Sequence, residues 1–143
     1  GSILADRLGE VLFIGLLRRW AFQAAPRKGV LACLRDARLS RALRRMHDNP
    51  GADLDLSELA TVAGMSRTAF AVRFREVLGI PPNAYLTEWR LLVARNLLTD
   101  TDLTLEEIVE RVGYDSPSGF SRAFKRRYGI SPGMHRRNVQ AAS

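Results

Sequence analysis

The chain has 143 residues, 46% hydrophobic and 26% charged, with a net charge of +7 and a pI near 10.7. That is enough apolar material for one ordinary domain or two small ones, and it excludes a disordered chain. A single cysteine, Cys33, excludes an internal disulfide and any cysteine-based zinc cluster.

The basic excess favours a polyanionic partner, nucleic acid ahead of a membrane surface; a merely solvated basic surface is the plainer alternative. Of 22 basic residues only Lys28 and Lys125 are lysines, and arginine's planar fork suits phosphate and guanine. The longest apolar run, residues 11–17, is too short to span a bilayer. Arg18 and Arg19 follow it rather than precede it, the reverse of a signal peptide. No membrane partner and a cytoplasmic location are therefore expected. Gly1-Ser2 reads as a cloning remnant on a piece of a longer chain.

In chain order, residues 3–23 form a helical pattern apolar over most of its circumference, which calls for burial on more than one side. "AAPRKG" breaks it. Asp36 is a candidate N-cap for a helix burying Leu39, Leu43 and Met46 and ending at Asn49-Pro50-Gly51. Ser57 is expected to cap residues 58–64, and Ser66 a helix of 67–78 closed by Gly79. A long helix is expected over 83–99, with Tyr85, Trp89, Leu92 and Leu97 buried. Thr104 caps 105–113. Ser116, followed by Pro117, caps a helix reaching Tyr128 and closed by Gly129. A short helix over 132–138 and a frayed tail, 139–143, finish the chain. No stretch alternates with period two, so the fold class is all-α.

The second half repeats the first. "LSELATVAG" matches "LEEIVERVG" at an offset of 49, and after one insertion Ser66, Phe70, Phe74, Gly79, Ile80 and Pro82 match Ser116, Phe120, Phe124, Gly129, Ile130 and Pro132 at 50. Two copies are too few for a solenoid. Each copy is helix, glycine turn, helix: the helix-turn-helix shape. At about 100° per residue, Phe70, Phe74 and Val77 share one side of the second helix. Thr68, Val72 and Arg75 lie opposite, with Ala71 beside them. In the other copy Phe120 and Phe124 point inward, and Ser118, Arg122 and Lys125 outward, flanked by Ser121 and Arg126. Small, hydroxyl and basic side chains on an open helix face suit a major groove. Residues 116–137 hold six basic residues and no acid: Arg122, Lys125, Arg126, Arg127, Arg136 and Arg137. A linking helix about 25 Å long at 1.5 Å per residue, with its turns, would set the two reading helices about 34 Å apart, one turn of duplex.

Residues 36–138 resemble the DNA-binding domain of the AraC/XylS family of transcription regulators, most clearly in "IVERVGYDSPSGFSRAFKRRYGISPGMHR". The resemblance implies two homeodomain-like helix-turn-helix subdomains, 36–82 and 100–138, joined by a linker helix, 83–99. It implies double-stranded DNA as partner, each recognition helix in its own major groove, RNA polymerase as a further partner, and a nucleoid-associated place in the cell. By position, Thr68, Ala71, Val72, Ser118, Ser121 and Arg122 would face bases. Ser66, Arg67, Arg75, Ser116, Lys125 and Arg126 would meet phosphates, as would backbone N–H groups at Asn83 and Gly133. Relatives often carry arginine where Val72 stands, so either the first helix reads thymine or the second dominates. Residues 1–35 resemble the helical remnant of a sensor or dimerisation domain, with 3–23 as a possible homodimer contact.

Catalysis is not expected. His47 and His135 lie far apart with no metal-ligand spacing, and no nucleophile motif or phosphate loop is present; no metal or cofactor is implied. His135 is a candidate for the DNA backbone. Glu58 and Glu107 recur as first-turn helix charges, and Trp20 and Trp89 read as core. The competing readings are a basic protein-interaction module and an RNA binder. The deep, narrow major groove of A-form RNA does not admit these helices.

Overall fold

The computed structural model describes residues 36–142. The helical segment and dimer contact expected over residues 3–23 lie outside them, as do Trp20 and Cys33. The described residues form seven helices and no strand: α1 Ala37–Asp48, α2 Leu56–Ala63, α3 Arg67–Leu78, α4 Pro82–Asp100, α5 Leu105–Val112, α6 Pro117–Tyr128 and α7 Pro132–Ala142. They divide into two compact units, one of residues 36–46 with Leu54–Tyr85, the other of His47–Asp53 with residues 86–142.

Caps set the helix boundaries. Asp36 Oδ1 accepts from the N–H groups of Arg38 (3.1 Å) and Leu39 (3.2 Å). Ser66 Oγ accepts from Ala69 N–H, and Ser116 Oγ from Gly119 N–H, both at 3.1 Å. Thr104 and Glu107 form a reciprocal capping box, which satisfies two donors that a helix start otherwise leaves orphaned. The cap of α2 is not Ser57 but Asp55, whose carboxylate accepts from Glu58 N–H at 2.8 Å. Asp55 stands 49 residues before Thr104, so the repeat itself marks it. Leu54 before the cap and Leu59 at the fourth helical position are both buried, as in a hydrophobic staple.

In the first unit Leu39, Ala42, Leu43 and Met46 of α1 are buried, as are Leu59, Ala60 and Ala63 of α2 and Phe70, Phe74, Val77 and Leu78 of α3. Phe74 meets Phe70 at 5.6 Å and Tyr85 edge-on at 5.7 Å. The second unit repeats this core. Leu91, Ala94 and Leu98 pack with Ile108, Val109, Val112, Phe120 and Phe124. Phe124 meets Phe120 at 5.7 Å and His135 edge-on at 5.9 Å.

The duplication is wider than its most visible phrases. "RLSRALRRM" in α1 and "RLLVARNLL" in α4 place Leu39, Ala42 and Met46 against Leu91, Ala94 and Leu98 at matching positions, all buried. His135 takes the place of Tyr85 fifty residues on. Each copy is thus three helices and the first turn of a fourth, and α4 closes one copy and opens the next.

That double duty corrects the expected burial of α4. Tyr85 is buried, but Trp89, Leu92 and Leu97 are only half-buried, and Leu86, Leu91, Ala94 and Leu98 are the buried positions beyond it. A helix serving two cores carries no single apolar stripe. Trp89 lies 4.1 Å from His47, ring centroid to centroid. The chain end differs too: α7 runs through Ala142, where the sequence suggests fraying from residue 139.

In the second unit the loop His47–Asp53 lies against the C-terminal end of α5. Arg90 holds it from α4, donating to Pro50 O at 2.7 Å and Ala52 O at 2.9 Å. Gly51 and Gly113 allow the approach. A Cβ on Gly51 would fall 2.4 Å from Arg111 O, and Gly113 sits at φ +83° with its own Cβ position 3.1 Å from Gly51 Cα, a backbone region that side chains oppose.

Candidate nucleic-acid interface

In each copy the third helix follows a tight turn and buries one face on its own core. On α3 the inward residues are Phe70, Phe74, Val77 and Leu78. Arg67, Thr68, Val72 and Arg75 are exposed and Ala71 is half-buried. On α6 the inward residues are Phe120 and Phe124. Ser118, Arg122, Lys125 and Arg126 are exposed, and Ser121 is half-buried. The residues singled out as base-facing therefore lie on one open or half-open face of each helix.

The residues singled out for phosphates fall into two groups. Arg67, Arg75, Lys125 and Arg126 are exposed side chains with no carboxylate partner among the described residues. Ser66 and Ser116 are already N-caps, their oxygens accepting from the backbone; Ser116 Oγ also lies 3.4 Å from Ser118 Oγ, where either hydroxyl can donate. Asn83 and Gly133 are exposed at the second position of α4 and α7, each behind a proline. Proline carries no N–H, so theirs are the first backbone donors of those helices.

The basic run of residues 116–137 is not uniform. Arg136 turns inward and caps α4. It donates from Nη1 to Leu103 O at 2.6 Å, from Nε to Leu98 O at 3.2 Å and from Nη2 to Thr101 O at 3.1 Å. Arg127 Nε pairs with Glu88 at 2.5 Å, beside the Tyr128 ring, 5.1 Å from its guanidinium carbon. His135 Nε2 lies 3.0 Å from Thr99 Oγ1. Burial, with the Arg95 charge second, holds its pKa below the ordinary histidine value. It serves the core of its unit rather than standing out as a contact for a backbone. The exposed cations left in the run are Arg122, Lys125, Arg126 and Arg137.

The matching segment of the first copy, residues 66–87, has two, Arg67 and Arg75. Arg73 donates to Asp36 Oδ2 at 3.1 Å and lies 3.9 Å from Glu76. Burial by itself raises the Asp36 carboxyl; hydrogen bonds from Leu39 N–H, the Arg73 guanidinium and Arg38 N–H outweigh it, so the group sits below its ordinary value. Arg41 donates to Val62 O and Ala63 O at the end of α2. Arg45 pairs with Glu58 at 3.0 Å. The two recurring glutamates are accounted for by this pair and by the capping box of Glu107.

Sequence reasoning missed the structural duty of Arg41, Arg90 and Arg136. Their acceptors are backbone carbonyls remote in sequence, which leave no local mark.

Two helix-turn-helix motifs, each with one helix face open to solvent, define a duplicated helix-turn-helix protein. A family model described as a helix-turn-helix domain matches residues 59–138. The chain is 36% identical over 137 residues to the RCS-specific HTH-type transcriptional activator RclR of Escherichia coli, covering 96% of this chain and 48% of that protein. It is 35% identical over 139 residues to a putative AraC-like transcription regulator of Streptomyces lividans, covering 96% and 45%. Among solved structures, the DNA-binding domain of AdpA, captured with a target DNA, matches with a TM-score of 0.69 at 31% identity, covering 72% of this chain and 93% of that one. An AraC-type regulator from Chromobacterium violaceum matches at 0.67 and 29%, covering 71% and 91%. The chain belongs to the AraC/XylS family of helix-turn-helix transcription regulators. It spans about half the length of the curated relatives it matches.

Proposed function

We propose that this chain binds double-stranded DNA sequence-specifically as the DNA-reading part of a transcription regulator, with α3 and α6 entering successive major grooves. The observation that carries the reading is the pair of open helix faces at matching positions, Thr68, Ala71 and Val72 on α3 and Ser118, Ser121 and Arg122 on α6. Arg67, Arg75, Lys125 and Arg126 contact phosphates beside them, with Ser66, Ser116 and the backbone N–H groups of Asn83 and Gly133. Arg and Lys donate to guanine O6 and N7, and small apolar groups touch the thymine methyl. RNA polymerase is the protein partner that regulation implies, residues 3–23 are the candidate dimer contact, and the cytoplasm, on the nucleoid, is the place of action. Among the described residues no helix is long and apolar enough to cross a membrane.

Selection of bound duplexes from a random pool tests this. Two boxes about one helical turn apart are expected, with loss of selection in Arg122→Ala/Lys125→Ala at unchanged melting temperature. Recovery of no common sequence, or binding indifferent to that double replacement, favours a basic protein-interaction module instead.

A further inference from the structure

The two recognition helices are one motif with different chemistry at matched positions. Thr68 corresponds to Ser118, Ala71 to Ser121, Val72 to Arg122 and Glu76 to Arg126. Val72 is 53% exposed while the other large apolar residues of α3 are buried. It sits in the middle of the open face, with Thr68 one turn before it and Ala71 beside it, so this face presents methyl groups. Of the two guanidinium groups nearest Val72 along the helix, Arg73 is drawn aside to Asp36 and Glu76, and Arg75, exposed on the same face, is the one assigned above to phosphate. A base edge in the major groove offers one apolar group, the thymine C5 methyl. On α6 the equivalent position is Arg122, exposed and without a carboxylate partner among the described residues, suited to guanine O6 and N7. The reversal from Glu76 to Arg126 removes a cation from the flank of the first helix and supplies one to the second.

Resting on the DNA-binding reading above, we infer that the two helices read chemically different boxes: α3 reads thymine methyls through Val72 and its neighbours, and α6 reads guanine through Arg122. Val72 is then a specificity-determining residue, and the operator is asymmetric in composition as well as in sequence.

The test starts from the selected two-box duplex. Val72→Arg, a change at an open position that leaves the core untouched, identifies the box of α3 as the one whose base preference moves, there from thymine toward guanine. The duplex is then remade with deoxyuridine for thymidine in one box at a time, which removes only the C5 methyl. Binding is expected to weaken about fourfold for each contacted methyl in the α3 box and less in the α6 box. Conversely, 7-deazaguanine in the α6 box, lacking the N7 acceptor, is expected to weaken binding roughly tenfold. Equal or smaller losses from deoxyuridine in the α3 box, or selection of guanine opposite Val72 by the unaltered chain, overturn the inference while leaving DNA binding intact. A selection that yields no shared box overturns the DNA-binding reading and this inference with it.

Discussion

Arg122 and Arg136 stand in one basic run and have opposite duties. Arg122 is open to solvent, whereas Arg136 satisfies the last carbonyls of α4 and the loop after it. Arg136→Ala leaves those carbonyls unpaired, and thermal unfolding should show a loss of about 1–3 kcal/mol. Arg122→Ala should leave the melting temperature unchanged and weaken specific DNA binding roughly tenfold. Asp36 gives a pH test. Its carboxyl is held below its ordinary value by its hydrogen bonds, so its contribution is complete above the ordinary carboxylate pKa of about 4. That contribution is lost as pH falls through the lower folded value. Asp36→Asn should flatten the acid limb of stability against pH; a limb as steep as in the unaltered chain contradicts the capping role.

At the scale of the element, Gly51 and Gly113 set how closely the loop before α2 approaches α5. A Cβ at Gly51 meets a backbone carbonyl at 2.4 Å, which a rotamer change cannot relieve. Gly51→Ala should therefore cost about 1–3 kcal/mol in a denaturant titration; a neutral result means the loop moves freely. The helices themselves were legible, because Asp36, Ser66, Thr104 and Ser116 are capping residues placed before apolar periods, and Gly79, Gly113 and Gly129 follow them. In "DLDLSE" both Asp55 and Ser57 are capping types, so local preference does not choose between them. The burial pattern of α4 was not legible, because one helix supplies Tyr85 to one core and Leu91, Ala94 and Leu98 to the other.

At the scale of the whole molecule, duplication was the strongest signal in the sequence. It gave the fold class and the orientation of both reading faces, because Phe70, Phe74, Phe120 and Phe124 fix which side of each helix is buried. It did not separate arginines that face solvent from those that hold the fold together, since that depends on remote carbonyls. If the four exposed cations proposed to meet phosphates (Arg67, Arg75, Lys125 and Arg126) do so, the slope of log affinity against log salt is about −4, and Arg126→Ala reduces it by about one. The central proposal is that α3 and α6 of one chain enter successive major grooves of one duplex. Affinity for the selected site with about five base pairs inserted between its boxes, half a turn of B-form DNA, tests it most directly. A fall to the affinity of a single box is expected, and affinity unchanged by the insertion would contradict it.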